Sequence, residues 1–166
     1  MASKSGRETA QVNTLDITYR GTVHQWHCDH MGHMNVMWYV GKFDEATWNL
    51  AAMMGMTSQY LKANNRGMAA VEQRICYRKE AIAGDVVTVR TAIVELRPKL
   101  VRFVHEMRRG DGDWLATMMA TGVHIDTVAR KSAEFAPEIF ELSKQALATD
   151  TTLWDAWPPA KAFLAP

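Results

Sequence analysis

The chain has 166 residues, 48% hydrophobic and 22% charged, which fits one globular domain and excludes wholesale disorder. Lys+Arg total 19 against 18 Asp+Glu, so the formal charge of +1 argues against nucleic-acid binding through bulk positive charge. No apolar run approaches the roughly 20 residues of a membrane helix, the polar start lacks a signal-peptide core, and two cysteines, Cys28 and Cys76, cannot build a disulfide framework, so a cytoplasmic, reduced protein is expected.

Residues 1–15 read as a polar lead-in. Thr18 to Trp26 is rich in β-branched and aromatic residues and predicts a strand. A polar loop follows, His27-Cys28-Asp29-His30-Met31-Gly32-His33-Met34, and Asn35 is a good N-cap. From Val36 to about Met54, Val36, Val40, Phe43, Thr47, Leu50 and Met54 recur in steps of three and four, which predicts one helix ended by Gly55. Its opposite face, Trp38, Gly41, Glu45, Trp48 and Ala52, is mostly apolar or small, so a helix covered on both sides is expected.

After a turn-rich connection over 58–67, four strand-like runs follow, near 68–77, 86–96, 100–108 and 114–126. Their short joins, Ala83-Gly84-Asp85, Arg97-Pro98-Lys99 and Gly110-Asp111-Gly112-Asp113, predict antiparallel hairpins. Pro137 starts a short helix over 138–148, and residues 149–166, with Trp154 and Trp157, read as a tail. The order predicts an α+β fold with one sheet and one long helix, and the helix's second apolar face predicts a homodimer or homotetramer.

Three stretches carry a family resemblance. Val23-His24-Gln25-Trp26-His27-Cys28-Asp29-His30-Met31-Gly32-His33-Met34-Asn35 resembles the first strand and loop of hotdog-fold acyl-CoA thioesterases of the 4-hydroxybenzoyl-CoA thioesterase type. Tyr39-Val40-Gly41-Lys42-Phe43-Asp44-Glu45-Ala46 is similar to the start of their central helix. Val71-Glu72-Gln73-Arg74-Ile75-Cys76-Tyr77-Arg78 and Gly84-Asp85-Val86-Val87-Thr88-Val89 are similar to the next two strands. The resemblance spans residues 19–135; Thr47 stands where the family often has Arg, and Lys79 where Pro commonly follows the Tyr-Arg pair. It implies a hotdog fold, a five-stranded antiparallel sheet wrapped around one long central helix over 16–135, with 136–166 as a short helix and tail.

The resemblance also implies hydrolysis of an acyl-CoA to free acid and CoA, with Asp29 as nucleophile or general base. The amides around Gly32 and His33 suit the developing oxyanion, and Gly permits close approach. Each residue has a plainer reading: an Asx-turn for Asp29, a packing hydrogen bond for His33 and N-capping for Asn35, which otherwise positions a water. Glu45, or Asp44 beside it, is a rival helix carboxylate; an interface role is its alternative. Tyr39 is expected in the core. Arg97, Lys99 and Arg102 cluster at a hairpin and are candidates for the CoA phosphates.

His24, His27, His30 and His33 recur every third residue, which invites a metal, but strand geometry sends successive members to opposite faces. Cys28 reads as a small buried thiol rather than a nucleophile. No metal or redox cofactor is expected, since CoA is part of the substrate. Two rivals stand beside the thioesterase: a non-catalytic acyl-CoA sensor, and a hotdog hydratase or dehydratase, whose usual His loop followed by a Gly-Xaa-Pro-like segment is missing.

Overall fold

The computed structural model describes residues 16–148; the lead-in and the tail with Trp154 and Trp157 lie outside the described residues. The strands are β1 (Asp16–Thr22), β2 (Arg66–Tyr77), β3 (Val86–Arg97), β4 (Leu100–Arg109), β5 (Trp114–Asp126) and the two-residue β6 (Lys131–Ser132). They form one antiparallel sheet in the order β1-β3-β4-β5-β2, with β6 on β5. The hairpin joins at 98–99 and 110–113 set the β3–β4 and β4–β5 pairings, as their turn residues predict.

Among the described residues three α-helices accompany the sheet, where the sequence predicts one long helix and one short C-terminal one: α1 (Val36–Met53), α2 (Ser58–Asn64) and α3 (Pro137–Gln145). Only α1, at 18 residues, is long. Asn35 starts it by accepting the Met37 N–H at 3.0 Å. Gly55 follows its end in the left-handed region, φ +87°. The connection over 58–67 is partly helical because Thr57 caps it, accepting the Tyr60 N–H at 3.2 Å. α3 begins at Pro137 and sends Ile139 into the core.

The core lies between α1 and the sheet, with Phe43, Ala46 and Leu50 against Val89, Ile93 and Met107. The buried face of α1 also takes Tyr39, Lys42 and Ala51, whereas Val36 and Val40 of the expected stripe are exposed. α1 packs mainly on β1 and β3. Half of the sheet's inner face, toward β2, is therefore less covered by this helix. Among the described residues no helix is long and apolar enough to cross a membrane.

The first strand stops at Thr22, four residues short of the expected end. Val23 donates to Asp85 O at 2.8 Å, and the chain then turns into a 3-10 segment at Gln25–His27.

Candidate active site

The loop after β1 is a tight hairpin. Asp29 N–H donates to His33 O, and Gly32 N–H returns to Asp29 O, both at 3.0 Å. Gly32 has φ +82°, a conformation that a Cβ would strain, which is what closes the turn. Asp29 Oδ1 accepts the Met31 N–H at 2.9 Å, so the Asx-turn forms. Among the described residues, Asp29 Oδ2 has no hydrogen-bond partner, and the carboxylate is half-buried. One oxygen fixes the group while the other stays available.

The hairpin is pinned to the segment that precedes β3. Met34 N–H donates to Ala81 O at 2.7 Å, and His33 bridges Ile82. His33 Nε2 lies 3.1 Å from Glu80 Oε2, a carboxylate that the sequence pattern did not single out. No acceptor faces the His33 backbone N–H among the described residues, whereas the Gly32 N–H is engaged by the turn. The Tyr39 hydroxyl accepts the Ala81 N–H at 3.1 Å and donates to Lys79 O at 3.3 Å. Burial raises the Tyr39 pKa, against the lowering effect of the Ala81 hydrogen bond, so the phenol stays neutral. Beside this framework runs an open groove of about 280 Å³, with His33, Val36, Tyr39, Tyr77 and Glu80 on its walls.

Asn35 is the α1 N-cap, as its plainer reading has it. Glu45 is exposed on the outer face of α1, and Trp48 beside it is 48% exposed, so that face is uncovered in a single chain. Asp44, one residue earlier, lines a second cavity of about 110 Å³ between α1 and the β2 half of the sheet. Thr47, Trp48, Met68, Phe103 and Gly122 also line it.

Arg97, Lys99 and Arg102 are not brought to Asp29. The Asp29 hairpin is pinned at Ala81 and Ile82, shortly before β3, while Arg97 ends that strand and Lys99 lies just past it. The 12 residues of β3 give about eleven steps between its ends, roughly 36 Å at about 3.3 Å per residue. Arg102 pairs with Glu95 at 2.6 Å, and Arg97 pairs with the same carboxylate.

His24 and His27 do not diverge as a strand would have them. The 3-10 turn eclipses positions three apart, so their rings meet edge-on at 5.1 Å, and His27 Nδ1 accepts the His24 N–H at 3.0 Å. Burial, then Lys42 and His24, lowers the His27 pKa. Cys28 is half-buried, its Sγ 3.8 Å from His24 O.

Deeper in the domain is a polar chain with no signal in the local sequence. His105 on β4 is fully buried; its Nε2 lies 2.9 Å from Thr47 Oγ1 and its Nδ1 2.5 Å from Thr91 Oγ1. Thr91 Oγ1 in turn lies 2.7 Å from Thr18 Oγ1. Thr18 falls at a register shift in β1, which turns its side chain inward.

With this geometry established, relatives supply the family. Residues 23–142 match the family model of the thioesterase-like superfamily, and the chain belongs to that superfamily. A curated relative from Agrobacterium fabrum, L-carnitine dehydrogenase/betainyl-CoA thioesterase, is 29% identical over 111 residues, 67% of this chain. The match spans only 23% of that longer protein. Among solved structures, a Staphylococcus aureus protein in complex with CoA is similar with a TM-score of 0.78 at 18% identity, covering 92% of this chain and 96% of its own. A 1,4-dihydroxy-2-naphthoyl-CoA thioesterase from Synechocystis has a TM-score of 0.69 at 18% identity, covering 77% and 95%. The curled antiparallel sheet thus matches the hotdog fold of these neighbours, and the family supports action on thioesters.

Proposed function

We propose that the protein hydrolyses an acyl-CoA thioester to the free acid and CoA, with Asp29 as the reacting carboxylate. The observation that carries this is the Asp29 hairpin: one carboxylate oxygen is fixed by Met31 N–H, the other is unpartnered, and the unengaged His33 N–H lies in the same turn. Asp29 Oδ2 attacks the thioester carbonyl carbon, or takes a proton from an attacking water. The carbonyl oxygen gains charge and is held by the His33 N–H. The C–S bond then breaks and CoA leaves as a thiolate that takes up a proton, from the Asp29 carboxyl where water was the nucleophile or from solvent where Asp29 attacked. In the second case water hydrolyses the acyl–Asp29 anhydride, which releases the acid and restores the carboxylate. Gly32 shapes the turn, Asn35 sets the start of α1, and no metal or redox cofactor takes part. The relative's betainyl-CoA activity offers a small acyl-CoA as the first substrate to try.

The reading extends to an assembly. The outer edge of β2 has no partner strand among the described residues, and Val36, Met37 and Trp48 leave an apolar face of α1 exposed. We propose a homodimer, or a tetramer built from it, in which the Arg97, Lys99 and Arg102 of one copy serve the CoA phosphates bound at the other. That arrangement removes the conflict of the roughly 36 Å separation within one chain.

The test is thiol release from an acyl-CoA panel. Asp29→Asn keeps an oxygen to accept the Met31 N–H, so the turn survives while the nucleophile is lost. Release is expected to fall ~100-fold or more. Release that persists in Asp29→Asn and disappears in Glu45→Ala would move the role to the helix carboxylate.

A further inference from the structure

The hairpin that carries Asp29 stands on a short stem. His27 O accepts the Asn35 N–H at 2.9 Å, and the Asp29 N–H donates to His33 O at 3.0 Å. Cys28 and Met34 pair between these two rungs as a β-bridge. One side of the stem leads directly into α1, because Asn35 is its N-cap. The other side begins at His27, two residues before the carboxylate.

The His27 side chain is held by several groups at once. It is only 6% exposed. Its ring centroid lies 4.3 Å from that of Trp38 on α1 and 5.7 Å from that of Trp26. Nδ1 accepts the His24 N–H at 3.0 Å, across the 3-10 turn Gln25–His27. Val23, just before His24, donates to Asp85 O and accepts from the Gly84 N–H, both at 2.8 Å. One imidazole therefore joins the segment leading into β3, the stem of the hairpin and α1. His27 lines neither of the two cavities described above, so it reaches the chemistry through the backbone.

The bond to His24 requires a neutral ring. An imidazolium carries a proton on both nitrogens, and its Nδ1–H would face the His24 N–H donor to donor. Lys42 on α1 works against that state. It is buried, and its ammonium donates to the Tyr19 hydroxyl at 3.0 Å and to Thr22 O at 3.4 Å. Burial first, then the charge of Lys42, then His24, lowers the His27 pKa from 6.5. Lys42 and His24 are thus the titratable groups that act on the ring.

We propose that His27 is a positioning residue for Asp29: its imidazole, packed on Trp38 and accepting the His24 N–H, holds the stem of the hairpin against α1. The carboxylate and the His33 N–H are thereby kept in register with the thioester. The inference rests on the thioesterase reading and adds to it a residue that takes no part in bond making or breaking.

Variants of the intact protein test it by thiol release, thermal melts and hydrogen exchange of backbone amides. His27→Leu removes the acceptor. It should lower kcat by about tenfold to a hundredfold, the cost of a small displacement of a reacting group, with little change in KM. His27→Asn puts an oxygen where Nδ1 stands and should recover most of that loss. The Asp29 and Asn35 amides, whose bonds are the rungs of the stem, should lose exchange protection in His27→Leu and regain it in His27→Asn.

Lys42→Met removes a charge that resists protonation of the ring, so the acid limb of kcat should move to higher pH. In the double variant His27→Asn, Lys42→Met it should stay where His27→Asn alone has it. A shift that persists in the double variant would belong to Asp29 itself and would overturn the inference. So would a folded His27→Leu that keeps its kcat, or a His27→Asn no more active than His27→Leu at equal stability. If His27→Leu does not fold, the activity of His27→Asn and the Lys42 pair decide. Amide exchange separates the two readings. Stem protection lost in His27→Leu, with no acyl-CoA hydrolysed by the wild type, would sink the thioesterase reading alone. Hydrolysis by the wild type, with kcat and protection unchanged in His27→Leu, would sink this inference alone.

Discussion

Thr47 on α1 and His105 on β4 meet at 2.9 Å across the helix–sheet interface, and their bond places a proton on Nε2 of a buried imidazole. Thr47 has one hydroxyl proton, which it donates to Phe43 O at 2.9 Å. It must therefore accept from His105, so the ring proton is on Nε2 and Nδ1 accepts from Thr91. Thr91 then accepts from Thr18. Burial holds the His105 ring neutral, and that neutral state is what makes Nδ1 the acceptor. The same helix also reaches β1 through Asn49 Nδ2, which donates to Thr18 O at 2.6 Å. A polar seam thus ties α1 to β1, β3 and β4 inside an otherwise apolar core.

The seam makes stability depend on pH. Burial lowers the His105 pKa to about 3, from an ordinary value of 6.5. In the unfolded chain the ring takes a proton below about 6.5, while the folded protein keeps it neutral down to about 3. The unfolded state is therefore favoured progressively as pH falls from 6.5 toward 3, and nothing is lost above 6.5. The full loss is on the order of 5 kcal/mol, because each pH step of one between those two values removes about 1.4 kcal/mol. The lowered His27 and His124 values act in the same direction. Urea melts at pH 7.5, 6, 5 and 4 should show this decline, and His105→Leu should flatten it. A wild-type midpoint constant from pH 7.5 to 4 would contradict the neutral, buried ring.

Thr47→Val removes the acceptor from a buried N–H without changing volume much, so about 1–3 kcal/mol of stability should go. Thr47→Ser keeps the oxygen and should recover most of it. Chemical denaturation of the two variants side by side distinguishes the hydrogen bond from simple packing, for which Val would be the better tolerated.

At the other end of α1, Asn35 is predicted to matter for folding more than for chemistry. Replacing it with Ala leaves the Met37 N–H without its acceptor and should cost about 1 kcal/mol. Asn35→Ser should restore the cap and, with it, the melting temperature. If Asn35→Ser regains stability but thiol release stays low, the side chain has a task at the thioester beyond the cap.

How far the sequence carries these features differs by feature. The strands over β2 to β5 and the helix α1 are legible because hairpin joins and helical periodicity are local signals. The end of β1 is not, because Val23 is drawn away by the hydrogen bond it donates to Asp85, a residue 62 positions later. Nothing local marks Lys42, a charge on the predicted helix, for burial, yet it is buried with its ammonium donating to the Tyr19 hydroxyl at 3.0 Å. The Asp29 turn is readable from Asp29 and Gly32 themselves. Glu80 and His105 are not, since each acquires its partner only when the sheet closes. Asp44 and Glu45 look equivalent in the sequence; one helical step of about 100° points the first over the cavity and the second outward.

Gly122 offers a direct probe of where the acyl group goes. It lines the 110 Å³ cavity from β5, where an added Cβ would stand 2.9 Å from Met68 Cε and 3.6 Å from Val101 Cγ1. The tight contact is with the end of a flexible thioether, which can turn aside. Its backbone is outside the left-handed region, so Ala brings no strain and improves strand propensity. Stability should therefore change by less than about 1 kcal/mol. The new methyl group, and the displaced Met68 end, instead reduce the space behind Asp44. For Gly122→Ala, kcat/KM should fall severalfold for a branched five-atom acyl head while acetyl-CoA is affected little. The ratio of the two rates, measured with thermal melts as the control for folding, reads the cavity's size alone. An unchanged ratio in a stably folded variant would mean that the acyl group lies elsewhere, and the groove beside His33 and Tyr39 would then be the place to look.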